Sequence, residues 1–98
     1  MEKSTPHCKL TIVKRLLEQK KVIISNAAYL GATRLGLDKS DIIKIVNELT
    51  PKQFYKSMTT YNDHKIWQDV YKTKFDEIDI YLKITVIEQV AVVSFKEL

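Results

Sequence analysis

The sequence predicts an α+β domain in which N-terminal helices pack on a twisted antiparallel β-sheet. Two patterns and one size argument predict it. Apolar residues recur at three- and four-residue spacing as far as Leu49, and the second half changes period, with apolar and polar residues alternating over 78–87. With 98 residues, 45% of them hydrophobic, the chain can build one core, so residues 1–98 make a single domain.

Taken in order, Thr5-Pro6 offers an N-cap followed by proline at the first helical position. Leu10, Val13, Leu16 and Leu17 then form a helical stripe that ends at the basic pair Lys20-Lys21. Val22-Ile23-Ile24 is too short for a helix and reads as a brief edge strand. Ser25 caps a second helix, whose Ala27, Ala28, Gly31 and Ala32 permit close packing, and Gly36 suits the left-handed residue that closes it. A third helix starts at Asp38, with Ile42, Ile45, Val46 and Leu49 on one stripe. Thr50-Pro51-Lys52-Gln53 is a capping-box pattern with proline at its first position, and it adds one short turn before the sheet.

Strands are expected within 54–61, 66–71, 78–87 and 92–96. Ile78, Ile80, Leu82, Ile84 and Val86 face one way, and Asp79, Tyr81, Lys83 and Thr85 the other. In the last strand Ala91, Val93 and Phe95 are expected to be the apolar row, opposite Val92, Ser94 and Lys96. If Glu88-Gln89 is a two-residue hairpin loop, Leu82 pairs with Phe95, Ile84 with Val93 and Val86 with Ala91. Tyr81 then stands directly opposite Lys96 on the polar face. Glu-Gln is not a preferred two-residue turn, which leaves a longer loop open. The face assignment is firmer, because a one-residue slip puts an apolar row in water.

Composition excludes several classes. No window approaches 18 apolar residues, so no membrane-spanning helix is expected. The segment Met1–His7 has no apolar stretch of the kind a secretory signal needs. Cys8 is the only cysteine, so no internal disulfide forms and a cytosolic setting is expected. Net charge is +4, all of it in residues 1–49, while residues 50–98 balance to zero. A mild basic excess suits an anionic partner and is also common among proteins without one.

Lys56, Gln68, Tyr81 and Lys96 lie on the expected strands with side chains free for solvent. Residues of these types can grip a phosphate and move protons without a metal. RNA is cut this way when its own 2′-hydroxyl attacks the adjacent phosphate. Such a site accepts the hydroxyl proton, stabilises charge on the phosphorane-like transition state and protonates the departing 5′-oxygen. Lysines suit the charge. A tyrosine, with an ordinary pKa of about 10, is a poor base alone, but neighbouring lysines favour its phenolate. Gln68 suits orientation of a phosphate oxygen or a base edge. Taken alone, however, a Tyr–Lys pair on the solvent face of a sheet is usually only a solvated pair. His7 and His64 lie far apart in sequence without an evident third ligand, so no metal and no cofactor are expected. Cys8 lies near a helix start but has no evident base beside it, and reads as a small buried residue. Trp67 and Tyr71 read as core or rim.

Longer runs carry a family resemblance. Met1-Glu2-Lys3 with Thr5-Pro6-His7, the stretch Tyr55–Tyr61, Asp63-His64, the stretch Ile66–Tyr71, Tyr81–Ile87 and Val93–Lys96 resemble the MqsR family. These are the motility quorum-sensing regulator toxins of bacterial toxin–antitoxin modules. The resemblance spans essentially the whole chain. It implies a RelE-like fold and a sequence-specific mRNA endoribonuclease that halts translation, with a preference around GCU-type sites. The family's proposed active-site lysine, glutamine, tyrosine and second lysine fall on Lys56, Gln68, Tyr81 and Lys96. Met58, His64 and Lys72 are expected to contact RNA. The resemblance also implies neutralisation by an MqsA-type zinc-binding antitoxin, which carries the DNA-binding domain, so that any zinc, and any DNA contact, belongs to the partner. Lys72 and Thr73 stand where a relative has arginine and proline, and lysine keeps the charge but loses the bidentate geometry.

Two other readings use the same residues. One is a helix-turn-helix DNA-binding regulator, against which segment 38–49 carries a net charge of −1. The other is a non-catalytic protein whose strands dock a partner. The expected reading is a cytosolic toxin that cleaves mRNA by metal-independent transesterification.

Overall fold

The computed structural model describes residues 1–98 and has the α+β architecture that the periodicity predicts. Its elements are β1 (Glu2–Lys3), α1 (Leu10–Glu18), β2 (Val22–Ile24), α2 (Asn26–Arg34), α3 (Lys39–Asn47), a 3-10 turn (Pro51–Gln53), β3 (Phe54–Thr59), β4 (Trp67–Phe75), β5 (Ile78–Ile87) and β6 (Gln89–Glu97). The sheet order is β1-β3-β4-β5-β6-β2. All neighbours are antiparallel except β2, which runs parallel to β6. No helix is long and apolar enough to cross a membrane.

One face of the sheet carries the helices. The core joins Val13 of α1, Ala28 and Ala32 of α2 and Ile42, Ile45 and Val46 of α3 to Tyr71, Ile80, Leu82, Ile84, Val90, Val92 and Phe95 of the strands. Strand residues alternate between faces, so Tyr81 and Lys83 of β5 stand on the opposite, uncovered face.

Several local expectations hold. Ser25 Oγ accepts from the Ala28 N–H at 3.1 Å, capping α2. Gly36 has φ +76°. Asp38 and Asp41 form a reciprocal capping box at α3, with bonds of 2.9 and 3.0 Å. Gln53 Oε1 accepts from the Thr50 N–H at 2.8 Å. The small face of α2 is used fully: a Cβ on Gly31 would lie 1.7 Å from the Phe95 carbonyl oxygen.

The start of α1 differs from expectation. The helix begins at Leu10, with Lys9 as an N-cap that makes no side-chain bond, and not at Thr5-Pro6. The cause lies in β4. Asp69, only 2% exposed, accepts from the His7 N–H at 2.9 Å and the Cys8 N–H at 3.0 Å. A buried carboxylate with two backbone donors outcompetes the first helical turn and holds this segment as a strap across the sheet.

The β5–β6 register also differs, over half its length. Tyr81 pairs with Lys96, Leu82 with Phe95 and Lys83 with Ser94, but then Ile84 pairs with Val92 and Val86 with Val90. An extra residue, Val93, bulges from β6, and the loop closes on Glu88 alone at φ +64°. The inward row is therefore Phe95, Val92 and Val90 in place of Phe95, Val93 and Ala91. A bulge shifts facing by one residue and leaves a carbonyl without a ladder partner. Here Ser25 Oγ donates to the Val93 carbonyl at 3.1 Å, so the hydroxyl that caps α2 also satisfies the bulge.

Candidate active site

The uncovered face is assembled by cross-strand pairing. Lys72 of β4 stands opposite Tyr81 of β5, and Tyr81 opposite Lys96 of β6, giving a Lys–Tyr–Lys row across three strands. The neighbouring row runs Lys56, Val70, Lys83 and Ser94. Beyond it, Met58 pairs with Gln68. Lys56, Gln68, Tyr81 and Lys96 thus share one face, and Met58 and Lys72 lie among them. The bulge in β6 begins only after the Lys83–Ser94 pair, so it spares the Tyr81–Lys96 register.

Distances show how the charges gather. The Lys96 Nζ lies 5.1 Å from the Tyr81 ring centroid and the Lys83 Nζ 5.9 Å from it. The Lys72 Nζ sits 3.7 Å over the Tyr55 ring, and the Lys56 Nζ is 5.4 Å from the same ring. These are cation–π distances, in which an aromatic face steadies a flexible ammonium. Carboxylates stand at two margins of the face. Glu2 pairs with Lys56, and Asp79 lies 3.8 Å from Lys74. The hydrogen bond from Lys56 holds the Glu2 carboxyl below the usual carboxylate range. The same bond raises the Lys56 ammonium above its ordinary value, against a smaller opposing effect of desolvation.

His64 is exposed in the loop after β3. It lines, with Met58, Met1, Thr59, Thr60 and Tyr61, a shallow depression of about 520 Å³ at the end of that strand. Of the expected RNA contacts, Met58 and Lys72 therefore lie on the face, and His64 lines with Met58 the depression beyond its end.

Three residues of this face lie outside the expected set of site residues. Lys83 was legible, since alternation alone puts it beside Tyr81. Tyr55 was not, because strict alternation sends it to the face opposite Lys56. A register shift between Phe54 and Lys56 brings its ring, 48% exposed, among the lysines. Glu2 belongs to a two-residue strand that no period can reveal.

The other face offers no comparable chemistry. An apolar cleft of about 390 Å³ between α1 and the 3-10 turn is lined by Pro6, Leu10, Lys14, Leu49, Pro51 and Tyr71, among others. Tyr71 is a buried core residue whose hydroxyl has no partner. Burial first, and then nearby Asp69, push its pKa well up. Trp67 stands at the rim, its ring 5.7 Å from that of His7 and nearly parallel to it. Burial, and then Asp69, also raise the Cys8 thiol, which makes it a sluggish nucleophile. No group of three or more His, Cys, Asp or Glu side chains is placed to hold a metal ion.

A charged, tyrosine-bearing sheet face with no deep cavity suits a polyanion laid across it more than an enclosed small molecule. The family described as "Motility quorum-sensing regulator, toxin of MqsA" matches residues 5–97. The chain is 50% identical over 97 residues to the mRNA interferase toxin MqsR of Escherichia coli (strain K12), covering 99% of each. The family match takes in every element of the fold except β1, the relative aligns over nearly the whole chain, and the chain belongs to the motility quorum-sensing regulator family of toxins.

Proposed function

We propose that this protein is an mRNA endoribonuclease, a cytosolic toxin that stops translation, and that the uncovered sheet face is its active site. The observation that carries the reading is the Lys72–Tyr81–Lys96 row on adjacent strands, with Lys56 and Gln68 beside it. The name of the E. coli relative, an mRNA interferase toxin, supports the same substrate. The preference for GCU-type sites comes from the family resemblance.

The chemistry follows from the side chains. The RNA backbone lies on the lysine face, and its scissile phosphate takes charge-assisted hydrogen bonds from Lys56 and Lys96. The 2′-oxygen attacks phosphorus as its proton leaves, the bond from phosphorus to the 5′-oxygen breaks, and that oxygen takes up a proton. Tyr81 takes part in one of these transfers. The lysines stabilise the charge that grows on the phosphoryl oxygens, where such preorganised donors act most strongly. Gln68 orients substrate, while Met58, His64 and Lys72 hold the flanking RNA. The products are a 2′,3′-cyclic phosphate and a 5′-hydroxyl.

The partner is an MqsA-type antitoxin, in line with the family description as toxin of MqsA. The zinc and the DNA contact expected of the module belong to that partner.

Product analysis tests the mechanism. An end-labelled mRNA cut by the purified protein in EDTA should give cyclic-phosphate ends. A single 2′-deoxy substitution at a mapped cut should abolish cleavage there. Cutting that persists at the deoxy position would rule out attack by the 2′-oxygen.

A further inference from the structure

Strand β1 has two residues, and alternation sends them to opposite faces. Lys3 pairs with Ser57 on the helix-bearing side. There its Nζ lies 3.2 Å from His7 Nδ1 and 4.1 Å from the Trp67 ring centroid, while Asp69 holds the His7 backbone. With Lys3 secured behind the sheet, Glu2, opposite Met58, projects onto the uncovered face. Its carboxylate meets the Lys56 ammonium there. The Lys56 side chain is 30% exposed and that of Glu2 52%.

An ion pair this open to water is weak and exchanges readily. An RNA phosphate offers the same ammonium a charge-assisted bond within a cluster of further lysines. The contact can therefore orient a flexible lysine without locking it. We propose that Glu2 is a positioning residue of the RNA-cleaving site: it holds Lys56 ready in the free protein and yields it to the substrate phosphate on binding. This rests on the reading of Lys56 as a phosphate-binding group. The lowered Glu2 carboxyl and raised Lys56 ammonium agree with a pair formed in the free state. Displacement has a thermodynamic signature, because a carboxylate that loses its cation and gains a neighbouring phosphate becomes a stronger base.

The test follows the Glu2 side-chain carboxyl by carbon-13 NMR across pH, in the full chain alone and with an oligoribonucleotide bearing a 2′-deoxy scissile nucleotide. The Glu2 midpoint should lie below 4.5 in the free protein and rise to or above that value in the complex. Glu2→Gln removes the competing charge and should lower KM for RNA roughly two- to fivefold, with the change in KM and not in kcat. A midpoint that stays put when RNA binds overturns the proposal, as does an unchanged or raised KM. The pair would then only fasten β1 to the sheet. Failure of the RNA-cleavage reading looks different: the wild type cuts nothing, or Lys56→Ala cuts as well as the wild type.

Discussion

Asp69 shows how one residue settles the placement of others. It is buried beside Gln68 on β4 and spends its charge on two backbone donors of the strap at His7-Cys8. Losing a buried acceptor leaves both N–H groups unsatisfied. Asp69→Ala should therefore cost about 2–4 kcal/mol of stability, read from the urea midpoint at constant m-value. A cost near zero would mean that water replaces the carboxylate and that the strap is not what delays α1. Local capping chemistry favours a helix start at Thr5-Pro6. The competing interaction comes from a residue 62 positions away in the chain, and no local pattern contains it.

Among the elements, α2 and β6 matter most to the site, because β6 carries Lys96 and α2 lies directly against it. Gly31 permits that approach, with Phe95 and Lys96 as its nearest neighbours. Gly31→Ala puts a methyl into the Phe95 carbonyl, and only a shift of helix or strand can relieve it. Overpacking of this kind costs about 1–3 kcal/mol or more. The expected outcome is a lowered thermal midpoint, together with slower RNA cleavage by the fraction that stays folded. A Gly31→Ala protein with wild-type stability would show that the contact between α2 and β6 is looser than described. The same pair of elements marks the limit of legibility. The alternation of β5 was readable because both of its faces follow a strict period of two. The face of Val92 and Val93 was not, because the bulge is secured by Ser25 at the N-cap of α2. Tyr55 reached the site through a register shift of the same kind.

For the whole molecule, charge tallies by sequence segment proved a poor guide. Residues 50–98 balance to zero, yet pleating collects Lys56, Lys72, Lys83 and Lys96 from that half onto one face. The helices, with most of the basic excess, lie on the other side of the sheet. What the sequence did hold was the Tyr81–Lys96 pair on the polar face, since period and register both place it there. Lys56 and Gln68 joined it through the family resemblance, and the pairing of β3 and β4 brings them onto the same face. The central claim is that this face is where RNA is cut, and single-turnover cleavage of a defined mRNA by wild type, Tyr81→Phe and Lys96→Ala tests it most directly. With folding of each variant verified by its thermal midpoint, both substitutions should slow cleavage by about 100-fold or more. A folded Tyr81→Phe protein that cuts at the wild-type rate would contradict the assignment.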